Sequence, residues 1–170
     1  MRRFALLLVL VCLTSRLAAA QRLLVLDPSD ASIEMRAFGL GLLPLDGRFT
    51  SFHGTLAYDP NARAACRVEL SVNVRSLSML NPLTRDTVVG PEFLDAARFP
   101  SLVFVGACEE AGLGGMLGLH GVSAPFRLDL TWRPDQVVAE GSLRRADWGM
   151  TAMPLVGGRT VRIRVSVSLR

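Results

Sequence analysis

The run RRADWGM places Arg145 and Asp147 two residues apart on a stretch that alternates like a β-strand. On that spacing both side chains share the parity of Val137, Ala139 and Leu143, the apolar side. A guanidinium and a carboxylate held there can satisfy each other as an ion pair that plugs the end of a β-structure. Alternatively, Arg145, with Trp148 beside it, offers a polar contact to the head group of a bound ligand. Arg85 and Asp86, within TRDTVVGPEFLDAARFP, invite the same two readings. Neither pair contains a nucleophile.

Little else in the chain is equipped for chemistry. His53 and His120 have the opposite parity to Phe52, Leu56, Leu117 and Leu119, so both are expected to face solvent. No HxxxH, CxxC or HExxH spacing occurs, so no metal site is assigned. No serine stands in a nucleophile motif. GLGGMLGLHG is rich in glycine but lacks the GxxxxGK[ST] pattern of a phosphate-binding loop, and it reads as a hairpin turn leading into a strand. No catalytic residue is assigned, and the chain is read as a non-enzyme.

Twenty N-terminal residues stand apart from the rest. MRR is basic, FALLLVLVCL is apolar, and TSRLAAA ends in small residues, the pattern of an export signal cut before Gln21. Cys12 lacks the small residue that precedes a lipidated cysteine. Residues 1–20 are therefore read as a signal peptide and 21–170 as one domain, periplasmic or secreted. The chain has no lysine, and Arg2, Arg3 and Arg16 lie in the signal. Sixteen arginines then face fifteen acidic residues, so the mature protein is nearly neutral. With no basic stripe interleaved with aromatics, nucleic acid is not an expected partner.

The elements that must position any site are strands. Alternating runs near 31–38, 45–58, 66–76, 101–109, 115–120, 125–132, 136–145 and 160–169 are separated by Gly, Pro, Asp and Asn. The run at 66–74 places Cys66, Val68, Leu70, Val72 and Val74 on one face and charged or polar residues on the other. Such strands have one wet and one dry face. They predict an all-β fold, an eight-stranded antiparallel barrel or sandwich. The 45–58 run changes phase, and a bulge near Thr50–Ser51 would turn both of its apolar sets inward. Between the third and fourth strands, PEFLDAARF predicts one or two helical turns, with Phe93 and Phe99 over the barrel mouth as a lid or a permanent plug.

Cys66 and Cys108 remain after the signal. An even pair in an exported chain favours a disulfide, with two buried thiols as the alternative. Both share parity with apolar faces, and antiparallel pairing of their strands would bring them close, which favours the bridge. The inward set includes Met35, Phe49, Phe52, Leu70, Val72, Phe93, Phe104, Leu119, Leu130 and Ile163. These residues would serve a packed core or line a ligand cavity equally well.

The order of five segments resembles the YceI-like family. LDPSDASIEM is similar to its opening Asp-Pro and first strand, and LDGRFTSFHGTLAYDP to its Gly-x-Phe and Phe-x-Gly segment. SLSMLNPLTRD and EFLDAARFPSLVF resemble its Arg-Asp segment and Phe-x-Asp turn. LGLHGVSAPFRLDL resembles its Gly-Val hairpin, and RRADWGM with LVGGRTVRIRVSVSL its last turn and strand. The resemblance implies a lipocalin-like barrel with an apolar tunnel for an isoprenoid lipid, a polyprenyl chain or a quinone tail, and no catalytic cofactor. It also implies a membrane partner of the cytochrome b561 type, alongside which some relatives occur. The family often has histidines where Gly39 and Val88 stand here, so head-group recognition through those two positions is not implied. The competing readings are a β-barrel with a structural, stress-related or protein-interaction role and no lipid, and an enzyme acting on a bound lipid.

Overall fold

The computed structural model describes residues 21–39, 42–62, 65–110, 112–152 and 158–170. The expected signal peptide lies outside the described residues. These residues form eleven strands, all paired antiparallel: β1 (Arg22–Leu26), β2 (Ala31–Gly39), β3 (Leu43–Phe49), β4 (Phe52–Tyr58), β5 (Cys66–Asn73), β6 (Leu77–Met79), β7 (Ser101–Glu109), β8 (Gly112–Leu119), β9 (Val122–Trp132), β10 (Gln136–Arg144) and β11 (Thr160–Ser168). One α-helix, α1 (Pro82–Val89), lies between β6 and β7.

The sheet runs in the order β1-β4-β5-β7-β8-β9-β10-β11-β2-β3-β6 and curls because two chain runs turn the same corner. β3 continues into β4 across Thr50–Ser51, and β5 reaches β6 through a 3-10 turn at Val74–Ser76. The runs pair on both sides of the corner, Phe49 with Leu77 and Phe52 with Val72. Backbone bonds bridge it, from Thr50 N–H to the Ser76 carbonyl (3.2 Å) and from Asn73 N–H to the Ser51 carbonyl (3.0 Å). The phase change of the 45–58 run is resolved here, since Phe49 and Phe52 are both buried.

Eleven strands stand where the alternation predicts eight. The predicted 45–58 strand divides at the corner, β6 follows the 3-10 turn, and β1 is additional. The RLLVL run of β1 is apolar on both faces, with Leu23 and Val25 exposed, so it carries no alternation signal. GLGGMLGL is not a turn but the body of β8. One of its glycines, Gly115, makes room for an aromatic together with Gly106, its partner on β7: a Cβ on either would meet the Phe104 ring, at 2.9 and 2.7 Å. The turn comes later, at His120 and Gly121, which both have positive φ, as a two-residue hairpin loop requires.

The helix also lies upstream of its predicted place. Asn81 caps it, its side chain accepting from the amides of Leu83 (2.9 Å) and Thr84 (3.3 Å), and Pro82 opens the first turn. Asn-Pro, read from sequence as a strand breaker, is a helix start. Gly90-Pro91 ends the helix, since a residue before proline disfavours helical backbone. The predicted helical turns at 91–99 are hydrogen-bonded turns, closed by Asp95 N–H to Gly90 O and by Phe99 N–H to Asp95 O (both 2.8 Å).

Cys66 and Cys108 form a disulfide with Cα atoms 4.9 Å apart. It joins β5 to β7 at the end of the sheet where Tyr58 lies against Trp132.

Candidate functional site

At the other end the inward faces do not meet. They leave a cavity of about 480 Å³, walled by strands from both halves of the sheet and roofed by α1 and the turn after it. Among the described residues, its only polar side chains are Thr84, Thr87 and Arg145. Of the candidate residues, Met35, Phe49, Leu70, Val72, Phe93, Phe104, Leu119, Arg145 and Ile163 line it. Phe52 is buried in the core at the corner and does not. Leu130 lines a second, smaller cavity of about 50 Å³, which shares Leu70, Phe104, Leu128 and Val165 with the first. Those four side chains form a waist between the two.

Trp148 does not line the cavity either. Its indole N–H donates to the Leu117 carbonyl (2.9 Å), and its ring stands edge-on to Phe126 (6.1 Å), so it fixes the turn that carries Arg145. The hairpin braces the same turn. His120 Nδ1 lies 3.2 Å from the Trp148 carbonyl, and its ring lies 5.2 Å from that of Phe99. His120 is therefore half-buried rather than turned to solvent, whereas His53 is exposed.

Arg145 and Asp147 do not pair. β10 ends at Arg144, and the chain enters a 3-10 turn over Arg145–Trp148, so strand parity stops applying one residue too early. In that turn residues three apart share a side, and Asp147 bonds Arg144 through both oxygens (3.0 and 3.2 Å) in solvent. Arg145 turns inward and is 4% exposed. Its Nε–H donates to Gly158 O and one Nη–H group to Ala152 O (both 2.9 Å), and the guanidinium lies 4.6 Å over the Phe93 ring. The other terminal nitrogen, Nη1, is buried and has no partner among the described residues. Burial holds the Arg145 pKa below the ordinary arginine value. Arginine remains charged even so, and the wall of an apolar cavity thus carries a cation with an unmet donor.

Arg85 and Asp86 bond each other at 2.9 Å at the surface. Arg85 also donates to the carbonyls of Leu77 (3.1 Å) and Arg75 (2.6 Å), which straps α1 to β6. Gly39 and Val88 both line the cavity and add no polar group. Sequence reasoning missed Leu43, Leu83, Thr84 and Thr87 as lining residues. The helix start at Asn81-Pro82 was the signal that would have placed the last three. Among the described residues, no group of three His, Cys, Asp or Glu side chains is placed to hold a metal ion.

Comparison with known proteins gives the same architecture. The solved structure of BcnA from Burkholderia cenocepacia superposes with a TM-score of 0.71 at 16% identity, covering 85% of this chain and 99% of that one. A polyisoprenoid binding domain from Saccharophagus degradans, implicated in plant cell wall breakdown, gives 0.63 at 10% identity over 86% and 96%. In sequence, a UPF0312 protein of Vibrio vulnificus is 35% identical over 107 residues, a match that spans 59% of this chain and 56% of that protein. Protein YceI of Salmonella arizonae is 27% identical over 170 residues, 91% of this chain and 88% of the relative. The model of the YceI-like domain matches residues 24–169, and the chain belongs to the YceI-like family.

Proposed function

We propose that this protein binds or carries an isoprenoid lipid, with the tail in the cavity and an acceptor-bearing head group at Arg145. The observation that carries the reading is the contrast within one cavity: an apolar wall interrupted by a buried cation with an unused donor. Each methylene moved from water into such a wall contributes roughly 0.8 kcal/mol, so a long tail supplies the drive for binding without catalysis. The head group supplies an oxygen for Nη1, as a quinone carbonyl or a phosphate would. The polyisoprenoid-binding neighbour supports the tail, and the N-terminal signal pattern supports a periplasmic or secreted location. A membrane protein of the cytochrome b561 type would be the partner that loads or receives a quinone.

The test is competition between two probes. Arg145→Met should weaken a polyprenyl phosphate or prenyl quinone about tenfold, the equivalent of one charged hydrogen bond. It should leave a head-less isoprenoid hydrocarbon unchanged. Equal binding of all ligands by both proteins would remove Arg145 from the reading. Failure of any isoprenoid to bind would remove the reading itself.

A further inference from the structure

Leu42, Leu43, Leu80 and Leu83 are 85, 59, 101 and 77% exposed. Four large apolar side chains in water at one end of a small domain need an occupant. Leu42 and Leu43 open β3, where Leu43 pairs with Gly39, and Leu80 and Leu83 flank the start of α1. Leu43 and Leu83 are at once exposed and part of the cavity wall. The apolar surface outside the mouth is therefore continuous with the apolar surface inside it.

Exposed arginines lie at the same end. The mouth end holds the β10–β11 junction, with Arg144 paired to Thr160 across the strands. Arg159 and Arg162 are exposed there and form no ion pair among the described residues. Arg162 lies instead over the Phe38 ring (5.7 Å). The far end is marked by Ser168 N–H bonded to Asp30 O, by Leu169 N–H bonded to Asp135 O, and by the disulfide. Its turns carry Asp27, Asp30, Asp59, Glu109, Glu110 and Asp135, with Arg127 paired to Glu109, Arg170 paired to Asp135, and Arg22 and Arg133 exposed beside them. An apolar rim beside two exposed arginines that no ion pair among the described residues neutralises matches an anionic bilayer, which takes apolar side chains into its interface and attracts cations at its surface.

We propose that this end docks on an anionic lipid bilayer, with the four leucines in the interfacial layer and the cavity mouth facing the membrane. The proposal builds on the tail-binding reading, because an apolar tail could then pass between bilayer and cavity without crossing water. A second copy covering the rim is the competing occupant.

The test uses the exported protein, cut before Gln21, in which Cys66 and Cys108 are bridged, so that a single introduced thiol is labelled with the polarity-sensitive dye NBD. One variant carries Leu42→Cys, on the rim but outside the cavity wall, and the other Val103→Cys on the exposed outer face of β7. Vesicles of phosphatidylcholine and phosphatidylglycerol at three to one should shift the emission of the rim label to the blue and leave the β7 label unmoved. The shift should shrink with added salt and with Arg159→Gln/Arg162→Gln. No shift at Leu42→Cys, or an equal shift at both positions, overturns docking. A shift that grows with protein concentration in the absence of vesicles assigns the rim to a second copy and overturns it too. Uptake of an isoprenoid hydrocarbon from solution is measured on the same proteins. Normal uptake with no rim shift refutes docking alone, whereas lost uptake refutes the tail reading.

Discussion

Ala37→Phe separates a cavity from a packed core by the sign of its effect. Ala37 is buried on β2, lines the cavity, and is flanked by Leu45 on β3 and Val161 on β11. A phenyl ring added there enters about 480 Å³ of open space rather than occupied volume. Full burial of a phenylalanine side chain contributes about 1.5–3 kcal/mol, and a ring that touches the wall on one side only should realise about 1–2 kcal/mol. The same ring forced into a filled core costs about 1–3 kcal/mol. The assay is urea unfolding of delipidated protein, comparing midpoints at constant slope so that bound lipid does not enter the result. The ring should also obstruct the cavity, and retention of a fluorescent polyprenyl probe should fall. Destabilisation by 1–3 kcal/mol would refute the open cavity. A stabilised variant with unchanged probe uptake would show that the tail binds elsewhere.

Three further outcomes are expected. Replacing Cys66 and Cys108 together by alanine frees a loop with a sequence separation of 42, and chain entropy puts the loss near 4 kcal/mol. Urea unfolding measures it, and probe affinity should not change, because the bridge lies away from the cavity. Asp147→Ala should cost about 1 kcal/mol or less by thermal melting, since its partner Arg144 is exposed and Arg145 does not depend on it. A loss of several kcal/mol would restore the pairing of Arg145 with Asp147. Phe93→Ala removes the ring beneath the Arg145 guanidinium and part of the cavity roof. Stopped-flow release of the probe should quicken while stability falls by about 3 kcal/mol; unchanged release would make Phe93 a plug and place the entrance elsewhere.

The strands of the wall were legible because each has one wet and one dry face. β5, β9 and β11 keep that alternation nearly end to end, and the inward residues Met35, Leu70, Phe104 and Ile163 follow from it. The reading failed where the backbone leaves strand geometry. At Arg145 the period changes from two to three, which redirects Asp147 to Arg144 and leaves Arg145 alone. At Asn81-Pro82 a local cap outweighs the breaker role of proline, moving the helix to 82–89 and bringing Leu83, Thr84 and Thr87 to the cavity. In β8, Gly115 is set against the Phe104 ring of the neighbouring strand, a tertiary cause that no single run of sequence displays. The emptiness of the cavity is of the same kind. Inward parity says which residues face one another, but the curl of the sheet decides whether they touch.

The central claim, that the cavity holds an isoprenoid lipid, is tested most directly by native mass spectrometry of the protein purified from the envelope of its own host without detergent exchange. The predicted result is a population heavier than the polypeptide by one lipid. On collisional release, that lipid should yield fragments spaced by isoprene units, and the added mass should be lost from Ala37→Phe. A spectrum containing only the bare polypeptide, or an adduct without isoprene-spaced fragments, would contradict it.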